Sequence, residues 1–302
     1  VTSGNHNAVR LFNSSTANIN ADADNVGAKL KSGQNAVVAY ADGSTLNLNR
    51  STVEGGTANA VALNNGAMAE WKDAIISNDS TDDADTGRYP AVWVSGSSVT
   101  ATNGSISSTN GTAFCLSGES TATLTGVEIT NTMMGGAIWA KGSSENVKAK
   151  LTLENCKVRV QNNSYALWTQ NGDVEINGGT YWTKSGFALD GAAPNTYKIT
   201  SGYFHGSQDS LDATRSENVT LVLPTGKVLS NQNITAKEKK ANQLGEDYWW
   251  RLADPAPTKY TLSFDVNGGA AKPEFPDQQV EENAKPVKPA DTPKKQGYVF
   301  QG

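Results

Sequence analysis

The sequence predicts an all-β chain whose main part is a parallel β-helix. Three observations predict it. A short apolar motif recurs through the first two thirds of the chain. Apolar residues two apart follow it, and each such pair ends in a turn-type residue. Composition agrees: 29 of 302 residues are glycine and only 18% are charged, which suits short strands joined by tight turns rather than helices.

The recurring motif is alanine followed by a larger apolar residue. It reads Ala8-Val9, Ala36-Val37, Ala60-Val61, Ala91-Val92, Ala113-Phe114, Ala137-Ile138, Ala166-Leu167 and Ala188-Leu189. The spacings are 28, 24, 31, 22, 24, 29 and 22 residues. A period in that range with variable insertions is that of a solenoid.

The second strand of each repeat follows from apolar pairs at i and i+2: Leu46/Leu48, Ala69/Trp71, Val99/Ala101, Ala122/Leu124, Leu151/Leu153, Val174/Ile176 and Tyr197/Ile199. Period two marks a strand with one buried face. Two residues beyond each pair stands Arg50, Asp73, Asn103, Gly126, Asn155, Gly178 or Ser201. Gly and Asn tolerate the left-handed backbone of a sharp bend, and Arg50 is the misfit in this column. A small residue comes next, then a bulky one two further on: Val53, Ile76, Ile106, Ile129, Val158, Tyr181 and Phe204. Each rung therefore carries three short strands, and the chain holds about eight or nine rungs, stacked about 4.8 Å apart. The period-two pattern excludes a helical solenoid. A flat antiparallel sandwich would not put equivalent residues in columns.

Two rungs carry insertions, Asn78–Tyr89 and Lys141–Lys148, and loops on a solenoid commonly carry function. Cys115 and Cys156 fall at different rung positions, so two thiols are expected rather than a disulfide, with Cys156 in the inward small column. After Phe204 the pattern fades. Leu221-Val222-Leu223 reads as one more strand, Ala236–Ala241 as a solvated charged stretch, and Asp247–Leu252 as a last strand closing the open core. The first domain spans 1–253.

Asp254-Pro255-Ala256-Pro257-Thr258 reads as a stiff linker, over 254–259. Beyond it, 260–302 opens on the alternating strand Tyr260–Val266, ending in the hairpin signal Asn267-Gly268-Gly269. Phe264-Asp265-Val266-Asn267-Gly268-Gly269, Pro286, Pro289 and Gly297-Tyr298-Val299-Phe300-Gln301-Gly302 resemble the internalin-type B-repeat, or Listeria–Bacteroides repeat. That resemblance implies a small β-grasp-like module of bacterial surface proteins, and hence an extracellular, cell-surface location. Family members continue with a tryptophan where this sequence stops, so the module reads as truncated. The start at Val1 likewise reads as a mature or trimmed fragment. The rungs resemble the right-handed parallel β-helices of the pectate-lyase-like superfamily. Gly135-Gly136-Ala137-Ile138 is also similar to an element of polymorphic outer-membrane adhesins, but it occurs only once.

Net charge is −5, which gives no basic field for nucleic acid. No run of 18 apolar residues suggests a membrane span. Alternation makes the residue after each alanine point inward and the next one outward. That outward column reads Val38, Ala62, Trp93, Cys115, Trp139, Trp168 and Asp190. Its tryptophans and Asp190 are the candidate ligand-binding residues, with the alanines expected to keep the surrounding face low. An indole offers flat apolar area and one N–H donor, suited to sugar rings or a protein partner. The competing reading is that the tryptophans are core.

Asp79, Asp82, Asp83 and Asp85 could bind Ca²⁺ through hard oxygen ligands, although their spacing is not that of an EF-hand and acidic loops are usually just solvated. Asp22 and Asp24 are weaker candidates. Otherwise no cofactor is expected. Enzymatic cleavage of a polysaccharide would need paired carboxylates. Asp209, Asp212, His205 and Asp190 resemble the acidic pair and histidine of polygalacturonases only loosely, because the flanking motifs are missing. Lys157 and Arg159 share an outer strand with no acid cluster. The favoured expectation is a non-catalytic, adhesin-like surface or secreted protein. Its partner would be a host or dietary glycan or a surface protein. A β-helix lyase or hydrolase and a structural spacer are the alternatives.

Overall fold

The computed structural model describes all residues except 5, 22–26, 33–36, 80–88, 193, 207–218, 232–233, 246–248, 265–275, 290–293 and 300–302. The chain divides into two compact units, Val1–Ala253 and Asp254–Gly302.

The first unit is a parallel β-helix of three strand stacks. The first stack has eight strands: Val9–Leu11, Ala39–Asp42, Val61–Asn64, Val92–Ser95, Phe114–Ser117, Ile138–Lys141, Leu167–Gln170 and Leu189–Gly191. Each pairs in parallel with the strand one rung away. The second stack starts at Thr16–Asn20 and Thr45–Asn49, and the third at Lys29–Lys31 and Thr52–Glu54. In the seventh and eighth rungs the second and third strands merge into the long strands Gly172–Thr183 and Asn195–His205.

The columns follow from side-chain alternation. Leu46, Ala69, Val99, Ala122, Leu151, Val174 and Tyr197 lie in register and are all buried. So do Val53, Ile76, Ile106, Ile129, Val158, Tyr181 and Phe204 in the third stack. The bend between these stacks holds Arg50, Asp73, Asn103, Gly126, Asn155 and Gly178 at φ 49°, 52°, 56°, 64°, 51° and 97°. Arg50 thus takes the column's left-handed backbone despite its residue type, a costly conformation for a non-glycine side chain. Ser201 leaves the column. Ile176 pairs with Ile199 and Asn177 with Ser201, so Thr200 is extra, and the positive φ of 137° moves to Gly202. This is a β-bulge.

Two expectations need correction. Ala60, Ala91, Ala113, Ala137, Ala166 and Ala188 are buried, not part of a low outer face. Each stands at the corner before its strand, where the chain bends and the next rung's corner stacks on it. Second, Ala36-Val37 is not the second rung's repeat motif. The register pairs Ala39 with Val61, so Val38 takes the alanine position and is buried, while Tyr40 takes the outward position. The solvated charged stretch forms the helix Ala236–Asn242. Thr235 caps it by accepting from the Glu238 N–H, and no helix residue is buried. The Thr-x-x-Glu spacing is a capping-box signal.

Leu221–Val222 adds a further parallel strand beside Tyr197–Lys198. Trp250–Ala253 then runs antiparallel to both Tyr203–Phe204 and Val228–Ser230, covering the last rung. Cys115 and Cys156 are free, buried thiols. Burial pushes the Cys156 thiol up to about 11 despite backbone hydrogen bonds that favour the thiolate.

In the second unit, Lys259–Leu262 pairs antiparallel with Gln278–Glu281. The Asn267-Gly268-Gly269 turn lies outside the described residues. Among the described residues, no helix is long and apolar enough to cross a membrane.

Candidate functional site

The first stack places one side-chain column on the outer face: Arg10, Tyr40, Ala62, Trp93, Cys115, Trp139, Trp168 and Asp190. Their inward neighbours, such as Ile138 and Ala140 beside Trp139, are buried. Trp93, Trp139, Trp168 and Asp190 are half-buried, so the three indoles are not core.

The structure brings Trp139 and Trp168 together, with ring centroids 5.6 Å apart and planes at 36°. Tyr165 joins them at 6.4 Å from Trp168, and the Lys141 ammonium lies 5.8 Å from the Trp139 ring centre. These three rings line a cavity of about 630 Å³, with Met133, Met134, Asn162 and Asn163 around them. The walls are the corner loops between the third stack and the first. Met133 and Met134 are 62% and 52% exposed.

Buried polar side chains at the third-strand ends fix those loops. Asn131 donates to the carbonyls of Gly111 at 2.5 Å and Met134 at 2.7 Å. Its own Oδ1 accepts from Asn162 Nδ2 at 2.6 Å, and Asn162 donates again to the Gly135 carbonyl at 3.0 Å. One rung further, Thr183 Oγ1 donates to the Ser164 carbonyl at 2.6 Å. Ser185 donates to Asn163 Oδ1. The bonds from Asn131 and Thr183 satisfy loop carbonyls that would otherwise be costly to bury, whereas the Ser185–Asn163 bond lies at the exposed rim.

The Gly135-Gly136 pair acts through two different means. Gly135 turns the chain at φ 86°. Gly136 clears space: a Cβ there would lie 2.0 Å from Tyr165 Cε2. The Tyr165 ring therefore stands beside the indoles because residue 136 has no side chain.

Trp93 lies two rungs from Trp139 in the same column and does not line the cavity. Between them Cys115 faces outward yet is 0% exposed, and burial raises its thiol well above the usual range. Asp190 also stays outside the cavity lining. Its carboxylate accepts from the Gly191 N–H at 2.7 Å, and its carbonyl accepts from Tyr197 Oη at 2.7 Å. No carboxylate or imidazole lines the cavity among the described residues.

Sequence reasoning missed Tyr165, Asn162, Asn163, Met133 and Met134. These corners are not insertions, so loop length gave no signal. The available signal was a polar residue two after the bulky third-strand residue, as in Asn78, Ser108, Asn131 and Thr183. In the insertion at Lys141–Lys148, Ser144 and Val147 form a small antiparallel bridge and Lys148 pairs with Asp173, and none of its residues lines the cleft.

Asp82, Asp83 and Asp85 of the calcium candidate lie outside the described residues, as do Asp22, Asp24, Asp209 and Asp212. Among the described residues no group of three or more His, Cys, Asp or Glu could hold a metal ion. Lys157 and Arg159 lie on the third stack's outer face beside the C-terminal cap. There Arg159 covers the Trp182 ring at 3.9 Å and Lys157 bonds Gln243.

Among known families, the right-handed β-helix region matches residues 35–199, and the Listeria-Bacteroides repeat domain matches residues 260–302. Comparison with curated proteins and with solved structures gives no match. Both modules are typical of surface or extracellular proteins and together suggest a surface-type protein. With over half its length matched, the chain belongs to the right-handed β-helix family.

Proposed function

We propose that this chain is a non-catalytic, adhesin-like protein of the bacterial cell surface whose β-helix binds carbohydrate in the Trp139–Trp168 cleft. The observation that carries the reading is the outward pairing of these indoles, 5.6 Å apart, in a cleft walled by Tyr165, two exposed methionines and two amides. Flat apolar faces cover the C–H faces of a sugar ring, and nearby amides meet its polar edge. The cleft lining has no carboxylate pair among the described residues, whereas glycoside hydrolysis ordinarily needs two. Trp93 extends the same column and is assigned a secondary contact, as is Asp190 beside Trp168.

A glycan-array screen of the native protein against Trp139→Ala tests this. Native binding to a defined set of glycans, lost in the variant, supports the reading. Empty arrays for both proteins would favour a structural spacer, and identical populated arrays would place the binding outside this cleft. Release of shortened products from an acidic or neutral polysaccharide would favour an enzyme instead.

A further inference from the structure

We propose that the cleft selects an N-acetylated amino sugar through its acetamido group. This rests on the reading of the cleft as a carbohydrate site and names the sugar class. An acetamido group has three recognisable parts: a methyl, an N–H donor and a carbonyl acceptor. The cleft offers a complement to each.

Asn162 spends both protons of its amide nitrogen on Asn131 Oδ1 and the Gly135 carbonyl. Those two bonds fix the amide's orientation and turn Oδ1 away from them, with no donor to it among the described residues. It is a held acceptor for an N–H. Asn163 is the reverse case. Its Oδ1 accepts from the Ser185 hydroxyl, and its Nδ2 has no acceptor among the described residues. It is a donor for a carbonyl. Both residues line the same cavity, and the two neighbouring amides keep one acceptor and one donor uncommitted there, which is what a ligand amide requires.

The methyl's place is set by Met133 and Met134. Two adjacent methionines, 62% and 52% exposed, are poorly used by water but suit a small apolar group. A plain hexose would leave these thioethers facing a hydroxyl and the two amides without an amide partner. A free amino sugar would bring a positive charge to a cleft whose lining has no carboxylate to receive it.

Calorimetric titration of the full chain with three β-1,4-linked trisaccharides isolates this group: triacetylchitotriose, cellotriose and the deacetylated glucosamine trimer. The expected result is triacetylchitotriose at least about tenfold tighter than either other sugar, the scale of one net hydrogen bond. Asn163→Ala, at an exposed position, should bring that preference down to near one while the melting temperature stays put. Equal affinity for triacetylchitotriose and cellotriose overturns the acetamido assignment but leaves the carbohydrate reading standing. A preference that survives Asn163→Ala overturns the amide-pair recognition. Binding of none of the three, with an empty glycan array, overturns both.

Discussion

Gly136 shows how much of the cleft rests on single atoms. Adding one methyl there meets the Tyr165 ring 2.0 Å away, so Tyr165 must move off its place beside Trp168. Overpacking of this kind costs about 1–3 kcal/mol. Because the half-buried Tyr165 ring can swing aside, Gly136→Ala should lower stability by no more than that amount in a urea titration while weakening glycan binding; glycan binding equal to native would mean Tyr165 does not pack there. Asn131→Ala acts from below. It leaves the carbonyls of Gly111 and Met134 without their donor, a loss of about 1–3 kcal/mol for buried groups. Cys115 reports on the indoles themselves. It lies between Trp93 and Trp139 and is fully buried, with its thiolate disfavoured by burial. A thiol reagent should leave native Cys115 untouched and modify it readily in Trp139→Ala. Equal protection in both proteins would mean something other than the indole covers it.

At the scale of elements, the strand columns were legible and the corners were not. Leu151 and Leu153 announce a buried face by their spacing alone, because alternation is a local property. The second rung went astray for the same local reason. Ala36-Val37 matches the motif, but inter-rung pairing sets the register, and Val38-Ala39 fill those positions with the residue types exchanged. The cleft was half legible. Trp139 and Trp168 stand in an alternating column, so their outward direction could be read. Tyr165 depends on a glycine 29 positions earlier, Gly136, and Asn162 on Asn131 one rung away. Such partners meet only when the rungs stack.

The terminal cap gives a pH test at this scale. Tyr203 Oη donates to Glu238 Oε1 at 2.8 Å, and burial, then Glu238, pushes its hydroxyl up to about 12. Its ordinary value is about 10. The neutral form is thus favoured in the folded state, so this contribution is complete below about pH 10 and fades as pH rises toward 12. Tyr203→Phe should flatten the stability-versus-pH curve in that window alone. An unchanged curve would separate Tyr203 from the cap's stability.

At the scale of the molecule, each stack's strands pair between rungs, so the core of one rung is completed by its neighbours. The family match over 35–199 lies within the unit Val1–Ala253. That unit provides a continuous buried core and one outer face bearing paired indoles. The C-terminal unit matches a different family and bears on location rather than on the cleft. The account's central claim is that Trp139 and Trp168 meet a sugar together. The most direct measurement follows the indole N–H resonances of all seven tryptophans while an array-selected oligosaccharide is added. The account predicts that Trp139 and Trp168 shift together and saturate, while buried Trp71 and Trp249 stay in place. Saturable binding that leaves both Trp139 and Trp168 unmoved, or that moves Trp182 and Trp249 instead, would contradict it.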